Sequence, residues 1–322
     1  MNVTTIDYFI IKGISDIPAL QCLAFILVLL IYLITLTGNM TIILLVCLDH
    51  HLHIPMYFFL TNLSILDMCS STITLNNILV NFISGDNTIS VFACLTQMYM
   101  FASLTSNELF LLTVMSYDRY VAICNPLYYH VIMSHRNCTF LVIFCWLLGF
   151  IQVFPILMSF TFFNCYRTRE INHFFCDPVL LENLLCNYSY FVWLSIHLGG
   201  VFDATFPPFF TFLPYIFIIV TILRMSSNTS RQKTFYTCSS HLTVVIFLYV
   251  TLICQYLRPT SVTNMETNKL FSLFNTAAVP MLNPLIYSLK NKDVKTALKR
   301  KINYLSGILV VHSFPTTRNE QS

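Results

Sequence analysis

The chain has 322 residues, of which 56% are hydrophobic and only 10% are charged. A soluble domain usually carries about 25% charged residues, so this composition indicates a chain whose main solvent is lipid. The net charge of +3 is too small to favour nucleic acid as a partner. The composition therefore predicts a single integral membrane domain.

Seven apolar segments are long enough to cross a bilayer, which takes about 20 residues of helix. They are the ranges 22–46, 56–82, 91–123, 138–162, 191–223, 234–257 and 270–289, and the third is more polar than the rest. They must be helices, because backbone groups without hydrogen bonds are too costly in hydrocarbon. We expect an all-α membrane protein, a seven-transmembrane helix bundle over 22–290, with an N-terminal segment 1–21 and a cytoplasmic tail 291–322.

The basic residues set the expected orientation. With the N-terminus outside, twelve of the 17 Lys and Arg residues fall on the cytoplasmic side, as the positive-inside rule requires. We therefore expect a multi-pass protein of the plasma membrane with an extracellular N-terminus. In this topology Asn2 lies in a free outer tail and is the candidate site of N-glycosylation.

The tail after the seventh span separates its apolar residues from its basic residues. The apolar residues that share one helical face are Val294, Ala297, Leu298 and Ile302, and the basic residues elsewhere around the helix are Lys292, Lys295, Lys299 and Arg300. This pattern predicts a short amphipathic helix over about 291–304 that lies on the lipid of the inner leaflet.

Four of the twelve cysteines lie outside the membrane or at its outer rim: Cys94, Cys165, Cys176 and Cys186. Disulfides persist in the oxidising extracellular space. Four cysteines allow three pairings, and their spacing alone does not choose between them.

Ionisable residues inside a membrane are costly and are functional candidates by default. Asp67 and Glu108 lie in the middle of spans two and three. With Asn39 and Asn283 they are predicted to hold a sodium ion, or one of the two carboxylates stays protonated; the alternative is a polar cluster that only fixes the helices. No other cofactor or metal is expected. Asp203 in span five either contacts a ligand or extends from near the outer rim to water.

Two motifs stand at the cytoplasmic ends of spans. Asp118-Arg119-Tyr120 ends span three, where an adjacent acid and base can pair and then separate. Asn283-Pro284-Leu285-Ile286-Tyr287 ends span seven, where proline interrupts the backbone hydrogen bonds and the Asn side chain can replace them. Together they predict a switchable polar layer at the cytoplasmic face.

Further motifs follow in order along nearly the whole chain. They are Gly38-Asn39, Leu52-His53-Ile54-Pro55-Met56-Tyr57, Leu63-Ser64-Ile65-Leu66-Asp67, Met115-Ser116-Tyr117-Asp118-Arg119-Tyr120, His173-Phe174-Phe175-Cys176-Asp177, Lys233-Thr234-Phe235-Tyr236-Thr237-Cys238-Ser239-Ser240-His241 and Pro280-Met281-Leu282-Asn283-Pro284. With these motifs the chain resembles the odorant-receptor branch of the rhodopsin-like, G-protein-coupled receptor family.

The resemblance implies a function and several site roles. It implies a receptor of an olfactory sensory neuron for a small volatile ligand, which activates a stimulatory olfactory-type G protein and raises cyclic AMP. It implies the disulfides Cys94–Cys176 and Cys165–Cys186. It also implies that the Asp118–Arg119 pair opens as span six moves outward. The full switch set is Asp118, Arg119, Tyr120, Tyr215, His241, Asn283, Pro284 and Tyr287.

In this family the ligand binds between spans three, five, six and seven, and helical spacing suggests which residues line that cavity. The candidates are Met98, Phe101, Ala102, Thr105, Asp203, Tyr249, Leu252, Ile253, Tyr256 and Thr276. Most are apolar, as expected where burial of hydrocarbon gives affinity and a few polar groups set orientation. The alternative for each residue is ordinary packing between helices.

Some positions depart from the family pattern. Pro214 precedes Tyr215 where Ser is usual, Val250 follows Tyr249 where Gly is common, and Asp203 is not expected at all. If Asp203 lines the cavity, it favours ligands with a hydrogen-bond donor or an amine.

Other classes of protein lack support in the sequence. A transporter would show inverted repeats or broken helix pairs, a retinal-binding sensor would need a lysine in the middle of span seven, and an intramembrane enzyme would need a nucleophile with its base or a metal motif. The runner-up is a chemosensory receptor outside the olfactory system.

Overall fold

The structure is a computed structural model that describes residues 6–14, 18–163, 165–187, 189–256, 265–290 and 292–313. Within these ranges the chain is dominated by long helices. The predicted glycosylation site Asn2 lies outside the described residues.

Seven long helices form a bundle, and an eighth follows it. Their bounds are α1 Pro18–Leu48, α2 Pro55–Ser84, α3 Val91–Cys124, α4 His135–Phe162, α5 Tyr190–Arg224, α6 Asn228–Tyr256, α7 Met265–Lys290 and α8 Lys292–Ser313. The third helix lies at the centre, since it contacts α2, α4, α5 and α6, and α7 packs between α1 and α6. The seven-transmembrane bundle expected from the sequence is the fold of the chain.

Five of the described helical segments are long and apolar enough to cross a membrane by length and composition alone. They are Leu20–Leu48, Pro55–Ser84, His135–Phe162, Tyr190–Arg224 and Lys269–Tyr287. A shorter apolar stretch, His241–Cys254, belongs to α6. The central α3 carries more polar residues, and most of them are buried against neighbouring helices.

Most helices extend beyond the apolar segments that predict them. The largest extension is in α6, which begins at Asn228 rather than at Thr234. Hydropathy marks only the part of a helix that lies in hydrocarbon, and a helix can continue into water. The eighth helix also differs from its predicted bounds, since it continues to Ser313 rather than to about Tyr304. The intervening sequence contains no proline, so nothing in it forces a stop.

The seventh helix is not uniform. It consists of an α-helix Met265–Leu273, a π-helical segment Phe274–Ala278 and an α-helix Val279–Lys290. The wider π-helical turn lies directly before Pro280, whose ring nitrogen has no hydrogen to donate to the preceding turn. The sequence does not predict this π-helical segment.

A three-stranded sheet covers part of the end of the bundle that the predicted topology places outside, the extracellular end. Its strands are β1 Tyr8–Ile11, β2 Thr88–Ser90 and β3 Glu170–Ile171. The N-terminal strand β1 lies in the middle, antiparallel to β2 and parallel to β3. Phe9 and Ile11 are buried while Tyr8 and Ile10 are exposed, the alternation expected of a strand with one buried face. This sheet was not predicted from the sequence.

Candidate functional site

The extracellular end of α3 is fixed to the second outer loop. Cys94 is bonded to Cys176, and Cys165 is bonded to Cys186 within the loop; these are the pairings that the resemblance implies. The backbone N–H of Cys176 also donates to Oε1 of Gln97 at 3.1 Å. A covalent bond and a buried hydrogen bond therefore hold the loop against α3 within one helical turn.

The predicted ligand-pocket residues on α3 face the inside of the bundle. Met98 and Phe101 are buried, and Ala102 and Thr105 are half-buried. The ring of Phe101 lies 5.0 Å from that of Phe175 in the outer loop. An aromatic side chain of the outer loop therefore packs against this part of α3.

The pocket candidates on α6 and α7 divide between the interior and the lipid face. Tyr249 and Thr276 are buried, and Leu252 is half-buried. The Thr276 hydroxyl donates to the Ser272 carbonyl in its own helix, at 2.9 Å. These positions are consistent with a cavity wall between α3, α6 and α7. The side chain of Tyr256 lies outside the described residues.

Ile253 is a wrong prediction. Its side chain is 50% exposed, on the outer surface of the bundle. It continues the lipid-facing stripe of Ile246 and Val250, which are also exposed. Adjacent positions on a helix point about 100° apart, which leaves the half-buried Leu252 nearer the interior than Ile253.

Asp203 joins three helices. Its Oδ2 accepts a hydrogen bond from the Ser106 hydroxyl of α3 at 2.8 Å, and its Oδ1 accepts one from Nε2 of Gln152 in α4 at 2.7 Å. Both carboxylate oxygens thus already have partners within the protein. The side chain ties α5 to α3 and α4, so the prediction that it extends to water is wrong. A ligand contact would compete with these two bonds.

Three polar side chains of the predicted sodium set meet in the middle of the bundle. Nδ2 of Asn283 donates to both oxygens of Asp67, at 3.0 and 3.1 Å, and to Oε1 of Glu108 at 3.4 Å. All three side chains are buried. One amide group therefore bridges two carboxylates that lie on different helices.

Asn39, the fourth member of that set, hydrogen-bonds to backbone carbonyl groups instead. Its Nδ2 donates to the Pro280 carbonyl at 3.1 Å and to the Thr35 carbonyl at 3.0 Å. It thus joins α1 to the kinked turn of α7. The neighbouring Gly38 explains the close approach, because a Cβ atom there would lie 3.1 Å from the Pro284 ring.

At the cytoplasmic end of α3, Arg119 pairs with Asp118. The other carboxylate oxygen of Asp118 accepts a hydrogen bond from the Tyr129 hydroxyl, at 2.9 Å. Tyr129 lies in the segment that connects α3 to α4, shortly after the end of α3 at Cys124. The sequence does not predict this contact. Both oxygens of the Asp118 carboxylate are therefore occupied.

A second contact closes the cytoplasmic end between α5 and α6. The Tyr215 hydroxyl is hydrogen-bonded to Nδ1 of His241. Around this bond, Tyr215, Ile218 and Ile222 of α5 pack with Cys238 of α6 and with Tyr120 of α3 in one apolar cluster. Outward movement of α6 would have to break the hydrogen bond and separate this cluster.

The end of α7 completes the cytoplasmic layer. Pro284 is buried against α1, and Tyr287 is buried with its hydroxyl unpaired among the described residues.

Comparison with known proteins gives consistent results over nearly the whole chain. The family model described as olfactory receptor matches residues 28–304. The chain is 46% identical to human olfactory receptor 8K3 over 96% of the chain and 99% of that protein. It is 42% identical to mouse olfactory receptor 8G17 over 94% of the chain and 98% of that protein. Squid rhodopsin has a similar fold, with a TM-score of 0.69 at 16% identity over 90% of this chain and 88% of the rhodopsin chain.

Proposed function

The chain belongs to the olfactory receptor family, and from that premise we propose that it binds a small volatile ligand between α3, α5, α6 and α7 and activates a stimulatory, olfactory-type heterotrimeric G protein. It is a multi-pass membrane receptor of the G-protein-coupled kind and not an enzyme. We place it at the plasma membrane of an olfactory sensory neuron, with its N-terminus outside and a rise in cyclic AMP as its output.

The observation that carries this proposal is the closed cytoplasmic layer. The Tyr129 bond holds α3 to the following loop, the Tyr215–His241 bond holds α5 to α6, and the apolar cluster around Tyr120 joins α3 to both. The Asp118–Arg119 pair keeps the guanidinium against its own helix. Each of these contacts is non-covalent, so the layer can open and close reversibly. An agonist that binds the open arrangement better than the closed one shifts the population toward the open one. The crevice that α6 then uncovers is the proposed contact for the G protein.

The wall of the ligand cavity supports a volatile, mainly apolar ligand. The side chains at this site are mainly aliphatic and aromatic: Met98, Phe101, Tyr249 and Leu252. Apolar burial stabilises binding by about 25 cal/mol per Å². The half-buried Thr105 offers a hydroxyl, although that hydroxyl also donates to the Phe101 carbonyl at 3.0 Å. A ligand with one polar group fits such a wall best.

Asp67 and Glu108 also support a sodium ion as an allosteric occupant. Two buried carboxylates around one neutral amide donor carry excess negative charge, which hydrocarbon disfavours. A sodium ion or a proton held by the carboxylate oxygens would relieve it. Replacing external sodium with N-methylglucamine should shift the agonist dose–response curve of the unaltered receptor by several-fold but not that of Glu108→Gln. Equal shifts in both would contradict a sodium site here.

The experiment that tests the function is a cyclic AMP assay. The full chain is expressed with a stimulatory olfactory G protein and screened against a broad odorant panel. We expect a dose-dependent rise that Arg119→Gln lowers at least tenfold, because the open crevice then lacks the guanidinium that leaves Asp118 to face the G protein. Arg136→Gln is the control, since Arg136 is exposed at the start of α4. A full response from Arg119→Gln at matched surface delivery would contradict the proposal.

A further inference from the structure

A cleft of about 250 Å³ opens at the extracellular end, and its lining differs from that of the proposed ligand site between α3, α5, α6 and α7. Its walls come from the N-terminal segment, the start of α1, the end of α2 and the second outer loop. None of the predicted ligand-pocket residues whose side chains the structure describes lines it. The cleft therefore needs an explanation of its own.

The walls of the cleft combine aromatic rings with amide side chains. The rings of Phe25 in α1 and Phe82 in α2 stack at 4.5 Å, and the buried Phe174 closes the inner side. Gln21 of α1 and Asn81 of α2 add amide side chains to the lining, and Lys12, which is ion-paired with Glu170, adds a charged one. This is the composition of a small-molecule site, in which apolar surface gives affinity and a few polar groups fix orientation.

The volume of the cleft limits the size of the occupant. Apolar cavities of about 150 Å³ hold benzene, whereas sites for drug-sized ligands start at roughly 300 Å³. The cleft lies between these sizes, so it fits a molecule somewhat larger than benzene and not a whole phospholipid. Together with the amide groups, this favours a small amphipathic alcohol or phenol.

The cleft is also connected to the proposed ligand cavity. Phe174 packs with Phe175 and Phe101 in one buried cluster, and Ile14 and Ile78, which line the cleft, pack against that cluster. Phe101 in turn belongs to the α3 wall of the proposed cavity. An occupant that holds Phe174 in place therefore acts on the same aromatic cluster as a ligand on α3, and such coupling is reciprocal.

We propose that this extracellular cleft between α1, α2, the N-terminal strand and Phe174 is an accessory site for small amphipathic alcohols or phenols, distinct from the cavity in the bundle. It goes beyond the proposed function because binding there requires neither a G protein nor an agonist in the central cavity.

The test is photolabelling of the full receptor in lipid nanodiscs with an eight-carbon alkanol that carries a diazirine. We expect saturable labelling of residues around 78–85 and around 174, suppressed by excess 1-octanol. Ala24→Phe fills the cleft from α1 and should lower this labelling at least fivefold. Leu23→Phe is the matched control, because Leu23 is 62% exposed beside it on α1.

Two results would overturn the proposal. One is labelling at the cleft that excess octanol does not suppress, which is simple partition into lipid. The other is equal labelling of Ala24→Phe and Leu23→Phe. Labelling of α3 near Phe101 is found on a different peptide, and it reports binding at the proposed central site. Failure of the accessory site is therefore distinguishable from failure of the proposed receptor function.

Discussion

The extracellular and cytoplasmic ends of the bundle are held together by different kinds of bond. Outside, two disulfides and a three-stranded sheet join the loops to α3 and to the N-terminal strand. Inside, the Tyr215–His241 hydrogen bond and an apolar cluster join α3, α5 and α6. The Asp118 carboxylate is held by Arg119 within α3 and by Tyr129 of the following loop. The cytoplasmic end can therefore open by breaking a few hydrogen bonds, whereas the outer end cannot open without breaking covalent bonds.

The disulfides should show the largest effects. Replacing Cys94 and Cys176 together with Ser should cost about 2–5 kcal/mol and remove most surface delivery. Replacing Cys165 and Cys186 should cost less, by about 1 kcal/mol from loop entropy, because that bond closes 21 residues rather than 82. Surface immunolabelling and thermal stability in detergent measure both. The reverse order of effects would contradict a rigid end anchored at α3.

Tyr129 tests whether a hydrogen bond at the cytoplasmic end holds the closed state. Tyr129→Phe removes a hydrogen bond to a charged carboxylate that exists in the closed arrangement, worth about 1.5–3 kcal/mol. We expect basal cyclic AMP to rise by roughly tenfold, limited by the ceiling of full activation. Tyr128→Phe is the control, since the Tyr128 side chain is 65% exposed next to it. Unchanged basal activity in Tyr129→Phe would show that this bond does not hold the closed state.

His173 should give the smallest effect, and one that depends on pH. Burial, with a smaller contribution from the charge of Lys269, lowers the pKa of His173 to about 3. Its ordinary pKa is about 6.5. Between these values the unfolded chain binds a proton that the folded chain does not, so the free energy of unfolding falls as the pH drops below about 6.5. Above that pH the residue has no such effect.

At pH 5 this loss amounts to at most about 2 kcal/mol. The rate of thermal inactivation of purified receptor should therefore rise between pH 7.5 and pH 5, and His173→Phe should remove much of that rise. His197→Phe, at an exposed histidine of α5, should leave it in place. If the unaltered receptor and both variants show the same pH dependence, groups other than His173 cause it.

The sequence predicts the bundle well because hydropathy reports directly on contact with lipid. Over the residues that the structure describes, each of the seven apolar segments falls in a helix of the bundle, even the polar α3. It predicts helix ends less well, as the early start of α6 at Asn228 shows, since a helix in water leaves no hydropathy signal. The strand Tyr8–Ile11 was missed because a four-residue alternation is too short to stand out beside long apolar segments.

The site was only partly predictable for a related reason. Motifs place residues on a helix, but they do not show which partner a side chain selects. Asp203 was expected as a ligand contact or a solvent-facing carboxyl, and its partners Ser106 and Gln152 come from two other helices. Tyr129 lies in a loop whose position depends on the ends of α3 and α4. Such pairings depend on how the helices pack against each other.

The most direct test of the difference between the two ends is a pair of distance measurements on the full receptor in nanodiscs. Fluorescent unnatural amino acids at Arg136 and Arg231 report the cytoplasmic end, and a pair at Asp86 and Asn183 reports the extracellular end; all four side chains are exposed. With agonist and G protein, we predict that energy transfer falls for the cytoplasmic pair and stays constant for the extracellular pair. A cyclic AMP response with no change at the cytoplasmic pair, or with the larger change outside, would contradict it.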